Sequence, residues 1–141
     1  MTDAEKFEGF KQELLAENEQ RYGDEVRERW GAQSYEQAQQ KVVNMTEAQW
    51  AEVEDLSNRI NERLKAAVLK GDPSGTDARE ACDLHRQWLC HFWPDGMYTK
   101  AIHRNMGQMY CADPRFKAYY DAIASGAAEF LREAIEVYAS E

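Results

Sequence analysis

Apolar residues in the first third of the chain recur at helical spacing, but sparsely. The i, i+3, i+7, i+8 spacing of an amphipathic helix is followed by Phe7, Phe10, Leu14 and Leu15. This predicts a helix over residues 4–22, which Gly23 ends or bends. Two polar helical pieces at 24–30 and 34–43 follow, separated by Gly31, and their few apolar anchors are Val26, Trp30, Tyr35 and Val42. Because few buried contacts give low local stability, we expect residues 1–45 to be a mobile part that orders when something else binds.

The middle of the chain carries the clearest helix signal. Thr46 and Gln49 form a capping-box pattern, in which each side chain accepts from the other residue's backbone N–H. One apolar face then continues up to Gly71 and comprises Trp50, Val53, Ile60, Leu64, Ala67 and Val68. The sequence therefore predicts a helix of about 24 residues, roughly 36 Å long.

Local signals divide the second half into further helices. Asp77 with Glu80 begins one of them after the short loop 71–76, and its inner face is predicted to be Ala81, Leu84, His85, Trp88 and Phe92. The sequence Trp-Pro-Asp-Gly at 93–96 breaks this helix, because proline restricts the preceding residue and Asp-Gly favours a turn. Thr99 can cap the next helix, Asp113 followed by Pro114 restarts the chain in another, and a last helix follows Gly126.

The pattern excludes a β fold, because no segment shows sustained period-two alternation and β-branched residues are scarce. The predicted class is an all-α, multi-helix bundle of about five to seven helices. With 141 residues, the chain is expected to form one domain, residues 1–141, in which 46–141 are the helical core.

Composition limits the possible partners. The net charge of −9 repels phosphate backbones, so we expect no direct nucleic-acid contact by this chain. No apolar run is long enough to span a membrane and the N-terminus lacks a signal pattern, so no membrane association and a cytoplasmic location are predicted. An odd number of cysteines, three, without a CxxC pair is typical of reduced thiols.

Residues 85–116 concentrate aromatic side chains, sulfur and all the histidines of the chain. Around a Pro-Gly break, such residues favour a pocket for flat, apolar or heterocyclic molecules, because two broken helices cannot pack along their whole length. The predicted ligand-binding residues are Trp88, Phe92, Trp93, His103, Met106, Met109, Tyr110 and His85. The alternative is a structural or protein-interaction module, in which the same side chains form a fully packed core without ligand.

Metal and thiol chemistry have weaker support. A zinc site can be drawn from Cys82, His85, His91, His103 and Cys111, but the spacing matches no common ligand motif, so no metal and no cofactor are predicted. Cys90 and Cys111 are the candidate reactive thiols, although Cys90 and its neighbour His91 point about 100° apart around a helix. No catalytic motif is present, so the chain is predicted not to be an enzyme.

The order and spacing of residues across nearly the whole chain resemble the TipAS family, the antibiotic-recognition domain of MerR-type transcriptional activators. The matching residues are Glu25-x4-Trp30-Gly31, Thr46-x3-Trp50, His85-Arg86-Gln87-Trp88, Trp93-Pro94, His103, Met106-Gly107-x-Met109-Tyr110-x-Ala112-Asp113-x-Arg115-Phe116, Tyr120-Asp121, Gly126-x-Ala128 and Phe130-Leu131-x2-Ala134-Ile135. The block at 106–116 is the most specific part.

The resemblance implies a globin-like helical arrangement without haem, whose central cleft binds drug-like molecules such as thiopeptide antibiotics. It also implies an N-terminal part that is mobile until ligand arrives. In the founding member a cysteine bonds covalently to the thiopeptide, and Asn105 stands at that position here. Binding is therefore expected to be noncovalent. The family's DNA-binding domain has no counterpart in these residues, so we expect either a free-standing binding protein or one part of a longer regulator with a fused or partner DNA-binding domain.

Overall fold

A computed structural model describes residues 2–141, and the elements within them are helical. They are α1 (Asp3–Asn18), a π-helical segment (Glu19–Gly23), α2 (Asp24–Trp30), α3 (Ala32–Val43), α4 (Glu47–Lys70), α5 (Thr76–Phe92), α6 (Lys100–Ala112), α7 (Pro114–Ile123) and α8 (Ala127–Ala139). The predicted all-α class is confirmed. α1, the π segment and α2 follow one another without a break and so form one continuous helix. The described residues then contain seven helices, within the predicted range of five to seven.

Gly23 does not end the first helix, contrary to one reading of the sequence. Its φ of −53° and ψ of −49° are helical, and the chain continues from the π segment directly into α2. A Cβ atom at Gly23 would meet the carboxylate of Glu19, so that side chain would have to move to make room for it. The first real break comes at Gly31, where φ is 91°.

The predicted caps of the later helices are confirmed. Thr46 and Gln49 form the capping box of α4, which has the predicted 24 residues and ends at Gly71 in the left-handed conformation. Thr99 caps α6 and Asp113 caps α7, with Pro114 at its first position. The start of α5 differs slightly from the prediction, because Gly75 occupies the N-cap and the helix begins at Thr76.

The main core lies among α4 to α8. α4 packs along α5, and α6 packs along α8. Its fully buried members include Leu64, Cys82, Leu131 and Ile135. Gly107 allows α6 and α8 to approach closely, since a Cβ there would lie 3.2 Å from Cδ1 of Ile135 and 3.5 Å from Cα of Arg132. This core supports the surface on which the N-terminal helices lie.

The N-terminal helices bury much less. α1 buries Lys11 and no other residue along its length, and α2 buries none. α3 contributes Tyr35 and Val42. A second, smaller cluster of Val42, Met45 and Val53 joins these helices to the core. Within residues 2–141, no helix is long and apolar enough to cross a membrane.

Candidate functional site

A cavity of about 350 Å³ lies between the N-terminal helices and the break that separates α5 from α6. We call it the first cavity. Its core side consists of Trp93, Pro94, Met97, Met106, Met109, Asp113, Arg115 and Phe116, and its N-terminal side of Asn18, Tyr22, Glu25, Val26, Arg29, Trp30, Ser34, Tyr35 and Ala38. Aromatic rings and methionines dominate its walls, which suits apolar and heterocyclic molecules. Both parts of the chain are needed to form it.

A second cavity, of about 660 Å³, is lined by residues from α1, the π segment, α4, α5, α6 and α7. Its walls are Leu14, Tyr22, Ser57, Ile60, Asn61, His85, Trp88, Tyr110, Arg115, Phe116, Tyr119 and Tyr120. Tyr22, Arg115 and Phe116 line both cavities and so form a partition between them. The rings of Tyr22 and Phe116 are stacked with their centroids 6.3 Å apart.

Arg115 connects the core with the N-terminal helices across this partition. Its guanidinium donates to Asp113 at 2.6 and 3.0 Å and to Glu25 of α2 at 2.9 Å, and it lies over the ring of Tyr22 at 4.9 Å. Hydrogen bonds from Arg115 lower the pKa of Asp113, while Asp113 and then Glu25 raise the pKa of Arg115. The guanidinium therefore stays charged beside both cavities.

Four buried or half-buried side chains form a chain of hydrogen bonds that ends at the wall of the second cavity. The Tyr110 hydroxyl lies 2.9 Å from Nε2 of His85, Nδ1 of His85 lies 2.8 Å from Nε2 of His103, and Nδ1 of His103 lies 2.6 Å from the Tyr98 hydroxyl. Both imidazoles are fully buried. Burial lowers the pKa of His85 to about 3, with the charge of His103 adding to it. Burial, and then the charge of Arg86, lowers the pKa of His103 to about 4. Both rings are therefore neutral at pH 7.

The predicted site residues are distributed over both cavities. Trp93, Met106 and Met109 line the first, whereas His85, Trp88 and Tyr110 line the second. The other two lie elsewhere. His103 is enclosed between His85 and Tyr98, and Phe92 packs between Trp50 and Trp88. Through these contacts, His103 and Phe92 pack against His85 and Trp88, which line the second cavity.

The cysteines lie away from both cavities. Cys90 is exposed and lines a separate depression of about 330 Å³ with Lys41, Asn44, Met45, Gln49 and His91. The Cys111 thiol donates to the carbonyl oxygen of Ala128 at 3.2 Å, and burial raises its pKa. Asn105 is exposed and lines neither cavity. Among residues 2–141, no group of three or more His, Cys, Asp or Glu side chains is placed to hold a metal ion.

Sequence reasoning missed the N-terminal side of the first cavity. Tyr22, Val26, Trp30 and Tyr35 carry it, together with Glu25. The signal was present, because three of these are the sparse apolar anchors of otherwise polar helices. In the structure these three apolar side chains line the first cavity. Arg115 was assigned only to the restart of α7, but it also lines both cavities.

Fold and geometry together define an all-α domain with an apolar cleft between its N-terminal helices and its core. The sequence profile of the TipAS antibiotic-recognition domain matches residues 22–138, and the chain belongs to this family. The resemblance read from the sequence is thereby confirmed.

Individual relatives agree with this assignment. The chain is 33% identical over 137 residues to the HTH-type transcriptional activator TipA of Streptomyces coelicolor, covering 96% of this chain and 52% of that protein. It is 29% identical over 138 residues to the HTH-type transcriptional activator mta of Bacillus subtilis, covering 98% and 52%. The chain thus spans about half the length of the curated relatives it matches.

A solved structure of TipAS from Streptomyces lividans, in complex with the thiopeptide antibiotic nosiheptide, has the same fold. It superposes with a TM-score of 0.71 at 30% identity, covering 99% of this chain and 95% of that chain. The likeness confirms the globin-like helical arrangement that the family resemblance implied.

Proposed function

We propose that this chain is a ligand-sensing domain that binds antibiotic-like, aromatic small molecules noncovalently in the first cavity. The observation that carries the proposal is the composition of that cavity, in which Trp93, Met106 and Met109 of the core face Tyr22 and Trp30 of the N-terminal helices. Rings and thioethers provide large, adaptable apolar contacts. The structure of the related TipAS with nosiheptide supports a thiopeptide as one ligand class.

The N-terminal helices act as a cover in this proposal. They bury few residues of their own and contact the core through a small number of groups, such as Glu25 with Arg115 at 2.9 Å. This pair is exposed and contributes little to stability. A ligand that fills the first cavity would add apolar contacts to both sides, and the cover would order around it.

The matched relatives are transcriptional regulators, which supports a sensing role within, or beside, a protein that binds DNA. The acidic chain itself would not contact DNA, since its net charge is −9. The proposed binding is noncovalent, because the side chains of Cys90 and Cys111 lie outside both cavities.

Titration with nosiheptide, followed by other thiopeptides, fluoroquinolones and aromatic dyes, tests the proposal. We expect quenching of tryptophan fluorescence and, at a hundredfold excess over Kd, a rise in Tm of about 5–10 °C. Trp93→Phe should remove most of the quenching, whereas Trp50→Phe, which changes a ring outside both cavities, should not. Intact-protein mass spectrometry after denaturation should give the unmodified mass. If no compound changes fluorescence or Tm, the chain is better described as a packed interaction module.

A further inference from the structure

The second cavity has largely apolar walls, with polar groups from Ser57, Asn61 and Arg115 among them. At one end lies the buried pair His85 and Tyr110, whose polar atoms lie 2.9 Å apart. His85 is stacked against Trp88, with ring centroids 6.0 Å apart and planes at 17°. Leu14, Ile60 and Phe116 are among the apolar walls. A volume of about 660 Å³ is in the range of small-molecule sites.

The hydrogen-bond chain behind this end can run in only two directions. Each of its three contacts needs one proton, and a neutral imidazole carries a proton on one nitrogen only. If His103 is protonated on Nε2, it donates to Nδ1 of His85, so His85 must carry its own proton on Nε2 and donate to Tyr110. If His85 is protonated on Nδ1 instead, His103 must be protonated on Nδ1 and donate to Tyr98. A mixed pair would place two protons, or two lone pairs, 2.8 Å apart.

The two directions favour different partners for Tyr110. When His85 donates to it, the Tyr110 hydroxyl proton is left over and needs an acceptor. When Tyr110 donates to His85, no proton is left over and its lone pairs are available to a donor, so a donor-only ligand favours this direction. At the other end the Tyr98 hydroxyl is half-buried and can turn toward solvent in either case. Both rings must stay neutral for this reversal, as burial ensures.

We propose that the second cavity binds a planar aromatic group carrying one hydrogen-bonding atom, and that the hydrogen-bond chain Tyr98–His103–His85–Tyr110 reverses according to whether that atom is a donor or an acceptor. The inference rests on the proposed ligand-sensing function and assigns it a second subsite. Tyr110 and His85 contact the ligand group, whereas His103 and Tyr98 are positioning residues that act through them.

Three two-ring probes of nearly equal size test it: indole has a donor only, quinoline an acceptor only, and naphthalene neither. With 15N-labelled protein, the side-chain N–H signal of Trp88 reports the second cavity and that of Trp93 the first. We expect all three probes to shift the Trp88 signal. Imidazole 15N spectra should show both His85 and His103 protonated on Nε2 with quinoline, and both on Nδ1 with indole.

Matched variants distinguish the effect of the hydrogen-bond chain from that of local contacts in the cavity. Tyr110→Phe should weaken indole and quinoline about tenfold, the usual effect of one lost hydrogen bond, and change naphthalene less than about twofold. Tyr138→Phe removes a hydroxyl that lies outside both cavities and outside the hydrogen-bond chain, where it donates to Asp83 at 2.8 Å, and should change all three less than about twofold. Tyr98→Phe should weaken indole more than quinoline, because only the indole-bound direction leaves an N–H of His103 without an acceptor.

These experiments can fail without contradicting the proposed ligand-sensing function. If nosiheptide binds but the probes leave the Trp88 signal unchanged, the second subsite is wrong and the function stands. If the probes bind and the histidines keep the same protonated nitrogens with indole and quinoline, the reversal is wrong. Equal loss of indole and quinoline binding in Tyr98→Phe would also contradict it.

Discussion

The Nζ atom of Lys11 lies 3.0 Å from the carbonyl oxygen of Met45, and it also donates to the carbonyl oxygen of Val43 at 2.7 Å. Val43 is the last residue of α3 and Met45 lies just beyond it, so both carbonyl groups lack partners within the helix. The amine is buried and extends from α1, so a single side chain connects α1 with the segment that leads into α4. Its other close partner is the exposed carboxylate of Glu8 at 2.9 Å.

Replacing Lys11 should therefore release α1. Lys11→Met keeps the length of the side chain but leaves the two carbonyl groups without a donor, which costs about 1–3 kcal/mol. We expect faster amide hydrogen exchange across residues 3–18 and little change in α4 to α8. Lys6→Met, at an exposed position on the same helix, is the control and should leave exchange unchanged. Unaltered exchange in Lys11→Met would mean that apolar contacts alone hold α1.

The three thiols should react at very different rates. Cys90 is exposed, Cys111 is half-buried and Cys82 is fully buried, where burial raises its pKa to about 12. At pH 7.5 we expect iodoacetamide to label Cys90 first, Cys111 at least about tenfold more slowly, and Cys82 only on unfolding. Peptide mass spectrometry gives the three rates. Cys90→Ser should not change the other two, and native labelling of Cys82 at the rate of Cys90 would show that the core opens at α5.

Local sequence signals predicted the helices well, because a helix cap depends only on residues that are close together in the sequence. Thr46 with Gln49 and Asp113 with Pro114 placed two helix starts correctly. The predicted ligand-binding residues all lie between His85 and Tyr110, and none of them belongs to the N-terminal helices. The contact of His85 with His103 depends on the register of α5 against α6, and the contact of Tyr22 with Phe116 depends on how the N-terminal rod lies on the core. Neither contact can be predicted from the spacing of residues that are close together in the sequence.

The buried histidines make stability depend on pH. In the folded chain the pKa of His85 is lowered to about 3 and that of His103 to about 4, against 6.5 for a free imidazole. As the pH falls below about 6.5, the unfolded chain therefore binds more protons than the folded chain. Proton binding then shifts the equilibrium toward the unfolded state. The stabilisation is complete above that pH and is lost progressively toward pH 4 and 3.

We expect the free energy of unfolding to fall by about 2–4 kcal/mol between pH 7.5 and 5, an interval above most carboxyl titrations. Urea unfolding at half-unit steps of pH measures it. His91→Gln, the third histidine, should keep the dependence, whereas the double variant His85→Gln, His103→Gln should flatten it. A wild-type stability that stays constant over this interval would place the two imidazoles in contact with water.

The last prediction concerns the π segment that positions Tyr22. The Glu19 carboxylate occupies the space beside Gly23 and pairs with Arg27 at 2.5 Å, and Arg27 in turn lies over the ring of Tyr35 at 4.7 Å. The neighbouring Tyr35 hydroxyl, and then the hydrogen bond from Arg27, lower the pKa of Glu19. Tyr35 lines the first cavity, so this arrangement fixes part of its wall.

A methyl group at Gly23 would displace the Glu19 carboxylate, because the two would overlap. Gly23→Ala should therefore weaken nosiheptide binding in the first cavity by about tenfold, although alanine favours helix by roughly 1 kcal/mol. Gly9→Ala, where no atom lies within 4 Å of the added methyl group, is the matched control and should leave binding unchanged. Isothermal titration measures both. In a Glu19→Ala background the added methyl group meets no carboxylate, so Gly23→Ala should then have little further effect. A tenfold loss in both backgrounds would mean that Gly23 acts through the backbone and not through Glu19.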